Sequence, residues 1–176
     1  QAVSCLYNKG HRHIAYIGEK LTVARKNIFC RAMQKWGLPV ENIIESDQRF
    51  EAAGEYGVAR LCEEKSKATA VFCAYDNIAI GAIRALKERG LRVPEDISVV
   101  GVDNIPAAEQ MDRTLTTINS SPQAACDMAC DLLMRKMSNK YYCAGARIEI
   151  ESIFGQEMFE NVKKEPNSDD EVNPKV

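Results

Sequence analysis

Four side chains stand where this sequence could do chemistry. Asp103 ends the apolar run ISVVGVD at residues 97–103, Tyr75 and Asp76 follow TAVFCA at 69–74, and Arg25 lies shortly beyond HIAYIG at 13–18. An ionised carboxylate accepts two hydroxyl donors at once, and a guanidinium offers a planar fork of donors. Together they suit a sugar or another small polyhydroxylated or planar molecule. Each residue also has a plainer reading. Asp103 before Asn104 can form an Asx turn, Asp76 can cap the helix that follows it, and Arg25 can be a solvated surface residue. Glu19, Lys20, Asn77 and Asn104 complete a polar rim of mixed charge.

Other chemistries find little support. Neither a GxGxxG nor a GxxxxGK[ST] motif is present, which argues against a nucleotide cradle. The G-x-S-x-G elbow of serine hydrolases is also missing. An aspartate that accepts phosphate needs companion acids and magnesium, and Glu19 is the sole candidate companion. The two histidines, His11 and His13, precede the first apolar run. At roughly 3.3 Å per residue they fall about 15 to 20 Å from its far end, so a structural role is expected for both. Seven cysteines, without a CxxC pair, read as reduced, buried thiols of a cytoplasmic protein. Cys126 and Cys130 share a helical face, but no second pair or histidine completes a zinc site. The sequence therefore implies no metal, no cofactor and no catalytic residue. A small enzyme using Asp103 or Asp76 as acid or base is the weakest competitor.

The elements that must place these residues follow from hydropathy. Apolar runs alternate with helical patterns, the signature of parallel strands joined by crossover helices. The pattern predicts strands at 13–18, 69–74 and 97–103, with a weaker one at 43–45. Thr22 caps a predicted helix whose Ala24, Ile28, Ala32 and Trp36 recur at helical spacing, closed by Gly37 and Pro39. A second helix covers about 51–65 with Ala53, Val58, Leu61 and Cys62 inward. A third opens at Asp76 and stops at Gly90. After Pro106 a loose segment runs to LTTI at 115–118. A helix then spans about 122–137, with Ala125, Met128, Ala129, Leu132, Leu133 and Met137 as its apolar stripe. A last strand is expected at 147–154. In open parallel sheets ligands sit beyond the carboxyl ends of the strands, where Arg25, Tyr75, Asp76 and Asp103 all fall. A buried strand gains nothing from a carboxylate at its tip unless that tip faces something polar.

The 176 residues, 45% hydrophobic and 27% charged, describe an ordinary globular chain with no apolar run long enough to cross a bilayer. A formal net charge of -2 gives no attraction to phosphate backbones, so this chain alone is not expected to hold DNA. Residues 160–176 are charged, proline-bearing and poor in apolar side chains, and are expected to be disordered. The start at Gln1, without Met or leader, reads as a fragment or a processed product.

The stretches GHRHIAYIG, Arg25 followed by Phe29, TAVFCAYDNIAIGAIRALKERGLRVPEDISVVGVDNIP and LTTINSSPQAACDMACDLLM together resemble the LacI/GalR family of bacterial transcription repressors. The likeness covers about residues 1–155. It implies an α/β, doubly wound and mostly parallel sheet, one lobe of a periplasmic-binding-protein-like type I fold. Residues 1–121 would be the second lobe of the effector domain, 122–141 a helix that crosses to the first lobe, 142–159 a final strand region and 160–176 a tail. The implied function is effector sensing: a sugar, sugar phosphate or purine-like ligand binds in the cleft between lobes and modulates operator binding by a helix-turn-helix headpiece absent from this chain. A cytoplasmic homodimer, with contacts from 78–86 and the segment after Pro106, belongs to the same implication. By position, Arg25 and Asp103 match effector contacts. Tyr75 stands where many members carry asparagine, and offers a ring face and one hydroxyl instead of an amide. Asp76 adjoins it, and Gln48, Arg49 and Phe50 match a loop that lines the pocket. Ile28 replaces a common glycine and Glu55 a common tyrosine, both read as packing changes. A transport-associated, periplasmic-type sugar-binding protein would share the architecture and is the alternative reading.

Overall fold

The computed structural model describes residues 1–109, 115–120 and 122–138. The predicted strand at 147–154, the predicted tail and Cys143 lie outside them. In chain order the elements are α1 (Ala2–Asn8), β1 (Ile14–Glu19), a 3-10 turn (Lys20–Thr22), α2 (Val23–Lys35), β2 (Ile43–Ser46), α3 (Phe50–Glu63), β3 (Ala70–Cys73) and α4 (Asp76–Glu88). They continue with β4 (Ser98–Val102), α5 (Pro106–Glu109), β5 (Thr116–Ile118) and α6 (Pro122–Ser138).

All strand pairs are parallel, in the order β2-β1-β3-β4-β5. The chain leaves β1 toward one edge to form β2, then returns past β1 and builds β3, β4 and β5 on the other side. Right-handed crossovers therefore put α2 on one face of the sheet and α3 and α4 on the other. The reversal falls between β1 and β3, the place where doubly wound sheets open a crevice at their carboxyl ends. Because both faces are covered, the central strands are apolar along most of their length. Ile14, Ala15, Tyr16 and Ile17 of β1, and Ala70, Val71 and Cys73 of β3, are all 0–1% exposed.

The face of α2 that meets the sheet differs from the one its spacing suggested. Phe29 and Met33 are buried, whereas Ala24, Ile28 and Trp36 are exposed. Phe29 stacks on Phe72 of β3 with centroids 5.5 Å apart and meets Tyr16 of β1 at 5.5 Å. That aromatic seam outweighs the aliphatic stripe and turns the helix by one notch. Trp36 instead packs on Tyr7 of α1, with centroids 4.7 Å apart. On the opposite face α3 and α4 touch through backbone: a Cβ at Gly54 would lie 2.1 Å from the Ile78 carbonyl oxygen, and one at Gly81 would lie 2.0 Å from that of Glu51.

Two smaller expectations also change. Cys62 points to solvent instead of inward, and Cys126 and Cys130 are exposed too; among the described cysteines only Cys73 is fully buried, with Cys5 and Cys30 partly so. The loose segment before LTTI contains α5, and LTTI supplies the edge strand β5. On α6, Met128, Leu133, Met134 and Met137 are exposed. No helix among the described residues is long and apolar enough to cross a membrane.

Candidate functional site

The rim is built from the ends of β1, β3 and β4. Arg25 sits in the first turn of α2. Its Nη1 donates to the Ala74 carbonyl just past β3, and its Nη2 donates to Asp103 Oδ1 at 3.1 Å. The second carboxylate oxygen lies 3.4 Å from Nη1. The pair joins residues 78 apart in sequence and stays partly open, with side chains 39% and 32% exposed. Each partner thus keeps surface available to a solute.

Asp103 adopts φ 104° and Asn104 φ 52°, left-handed conformations that cost a non-glycine residue free energy. Asp76 holds this corner. Its Oδ1 accepts the Thr117 hydroxyl at 2.6 Å and its Oδ2 accepts the Ile105 N–H at 2.9 Å. The Asp103 N–H donates to the Ile118 carbonyl at 2.8 Å, tying the corner to β5. The side chain of Asp103 is thereby aimed at Arg25 and does not close an Asx turn. Asp76 itself is fully buried, and burial pushes its carboxyl above the usual range, an effect that the bonds from Thr117 and Ile105 partly offset. It occupies the first helical position of α4, with Tyr75 at the N-cap position and no side chain capping the helix, so the expected capping role is not realised. It supports the rim from below.

Tyr75 belongs to a second cluster. Its hydroxyl donates to Glu19 Oε1, which also accepts the Phe50 N–H at 2.8 Å. Arg49 Nε stands 3.1 Å from Glu19 Oε2. The Phe50 ring meets the Tyr75 ring edge-on, with centroids 6.2 Å apart and planes at 68°. Phe50 is 45% exposed. The structure therefore brings Arg25 to Asp103 and Phe50 to Tyr75, and the two pairs meet where Ala74 adjoins Tyr75. Arg25 also borders a hollow of ≈ 150 Å³ walled by Phe29, Phe72, Val102 and Ile118, which neither Asp103 nor Tyr75 lines.

Sequence reasoning placed Glu19 on the rim but not among the site residues. Its one local mark is a capping box with Thr22; its other partners arrive from the start of α3 and from the turn after β3. Among the described residues no group of His, Cys, Asp and Glu is arranged to hold a metal ion. His11, at the opposite end of the sheet, is 1% exposed and shares a hydrogen bond with Thr69 Oγ1 at 2.8 Å.

A parallel sheet covered by helices on both faces, with a polar, partly open rim at its switch point, defines the class: one lobe of a doubly wound α/β fold. Residues 3–152 match the periplasmic binding protein-like domain, and the chain belongs to that family, in the form carried by LacI/GalR-type regulators. It is 37% identical over 142 residues to the HTH-type transcriptional repressor PurR of Photorhabdus laumondii, covering 77% of this chain and 41% of that protein. Against the HTH-type transcriptional repressor CytR of Escherichia coli it is 33% identical over 153 residues, covering 84% and 45%. Among solved structures it resembles a LacI family regulator from Enterococcus faecium with bound ribose, with TM-score 0.77 and 27% identity over 88% of this chain and 59% of that one. The chain spans less than half the length of these two repressors.

Proposed function

We propose that this chain is the effector-sensing lobe of a LacI-type transcription regulator that binds and does not catalyse. A small sugar-like molecule sits against the rim, its hydroxyls donating to Asp103 and accepting from Arg25, with Phe50 and Tyr75 as a ring wall. Asp76 contributes from beneath, by fixing the corner that carries Asp103. The observation that carries this reading is the half-open Arg25–Asp103 pair at the sheet's switch point, built on a corner in left-handed conformation. Strain of this kind persists where surrounding structure enforces it, and it concentrates at binding sites.

Closure of a first lobe over the ligand would bias a helix-turn-helix carried elsewhere in the full protein, with a coupling of about 1–3 kcal/mol. Such a protein works in the cytoplasm, on operator DNA, as a homodimer. The repressor relatives and the ribose-bound neighbour support the reading. Its test is calorimetry of the full-length regulator against sugars, sugar phosphates and purines, before and after Asp103→Ala. Affinity for the compound that binds should fall at least tenfold; unchanged affinity removes Asp103 from the site.

A further inference from the structure

We propose that Glu19 is a positioning residue that presets the Phe50–Tyr75 wall of the effector site. This rests on the site reading above, but it can be tested without a ligand. Glu19 is the last residue of β1 and only 2% exposed. A buried carboxylate is costly unless donors surround it; here a capping box with Thr22 supplies one locally, and the others come from two more distant parts of the chain. The Phe50 N–H and the Tyr75 hydroxyl share Oε1, while Arg49 approaches Oε2.

Each donor has a consequence for the wall. Phe50 begins α3 with φ 55°, a conformation unfavourable for an aromatic residue, and the hydrogen bond from its N–H to Glu19 Oε1 offsets that cost. Tyr75 turns its hydroxyl into the protein, so its ring and not its donor meets Phe50. The Arg49 guanidinium lies 4.8 Å from the Phe50 ring centroid, so the same ion pair that satisfies Oε2 braces the ring. The wall consequently offers ring surface on one side of the rim, and Arg25 with Asp103 offers charge on the other. A ligand with an apolar ring face opposite its hydroxyls fits that division.

The experiment places 4-fluorophenylalanine at position 50 of the full-length protein and records its fluorine resonance and melting curve, with Glu19 intact, in E19Q and in E19A. E19A should move the resonance toward its position in the urea-unfolded protein while the melting transition remains cooperative. E19Q, which keeps one acceptor but no charge, should give an intermediate shift. A resonance unmoved in a folded E19A protein overturns the proposal; if E19A does not fold, an unmoved resonance in E19Q does the same. Asp103→Ala separates the two readings, since it tests the effector site and should leave the fluorine signal in place.

Discussion

The carboxylate of Asp76 rests directly on Gly101: a Cβ built at 101 falls 2.1 Å from Asp76 Oδ1. Gly101 is the fourth residue of β4, and its missing side chain makes the space in which Asp76 reaches both Thr117 and the Ile105 amide. Gly101→Ala should therefore displace that carboxylate and loosen the Asp103 corner together. We expect a stability loss of about 1–3 kcal/mol, the usual cost of overpacking, accompanied by weaker effector binding. Urea unfolding and calorimetry on the same variant check both, and wild-type values for the two would refute the linkage.

Arg25 donates to the Ala74 carbonyl and to both Asp103 oxygens, a spread that the planar guanidinium spans and an ammonium does not. Arg25→Lys keeps the charge and loses the fork. Effector affinity is expected to fall about tenfold, or about 1.4 kcal/mol, in a calorimetric titration with whichever sugar, sugar phosphate or purine the parent protein binds. Parent-like affinity would mean that charge alone suffices at this position.

The contact of α3 with α4 predicts another sensitivity. Gly54→Ala would place a methyl carbon 2.1 Å from the Ile78 carbonyl oxygen and 2.5 Å from the Ala82 nitrogen. These are backbone atoms that cannot rotate away, so the helices must separate. A loss of about 2–3 kcal/mol or more is expected, read as a lower urea midpoint. Because α3 begins at Phe50 and α4 adjoins Tyr75, the separation should also disturb the aromatic wall.

The central strands were legible because continuous apolar runs bounded by turn signals allow few other assignments. Given their order, crossover handedness fixes which face each connecting helix covers. The inward face of α2 was not legible. Ala24, Ile28, Ala32 and Trp36 satisfy helical spacing as well as Phe29 and Met33 do, and only the aromatic partners Tyr16 and Phe72 decide between them. The helix α1 is 7 residues and β5 is 3, too short to announce themselves by periodicity; β5 exists through its pairing with β4. At the site, Asp103 stood out because a charge ends an apolar strand. Glu19 ends one too, but its burial depends on the arrival of Phe50 and Tyr75. Asp76 carries no local mark of burial either, since Thr117 and Gly101 are brought to it only by β4 and β5.

His11 predicts a pH dependence of stability remote from the site. Its ring is 1% exposed, and burial, reinforced by the neighbouring Arg12 charge, lowers its pKa to about 4. In the unfolded chain the group returns to about 6.5. Between these values the unfolded state binds a proton that the native state does not, so stability rises with pH. The contribution is intact above pH 6.5, declines as the pH falls below it, and is exhausted near pH 4. Between pH 7 and 5 the loss should be about 2 kcal/mol. Asp76 runs the other way, because its raised carboxyl holds a proton more tightly in the native state. Comparing parent with His11→Gln, which retains a hydrogen-bonding group toward Thr69 Oγ1, isolates the histidine. Urea unfolding at pH 7 and at pH 5 should show the variant losing less stability than the parent by about that amount. Equal losses in the two proteins would show that His11 accepts its proton as readily in the folded state as in the unfolded one.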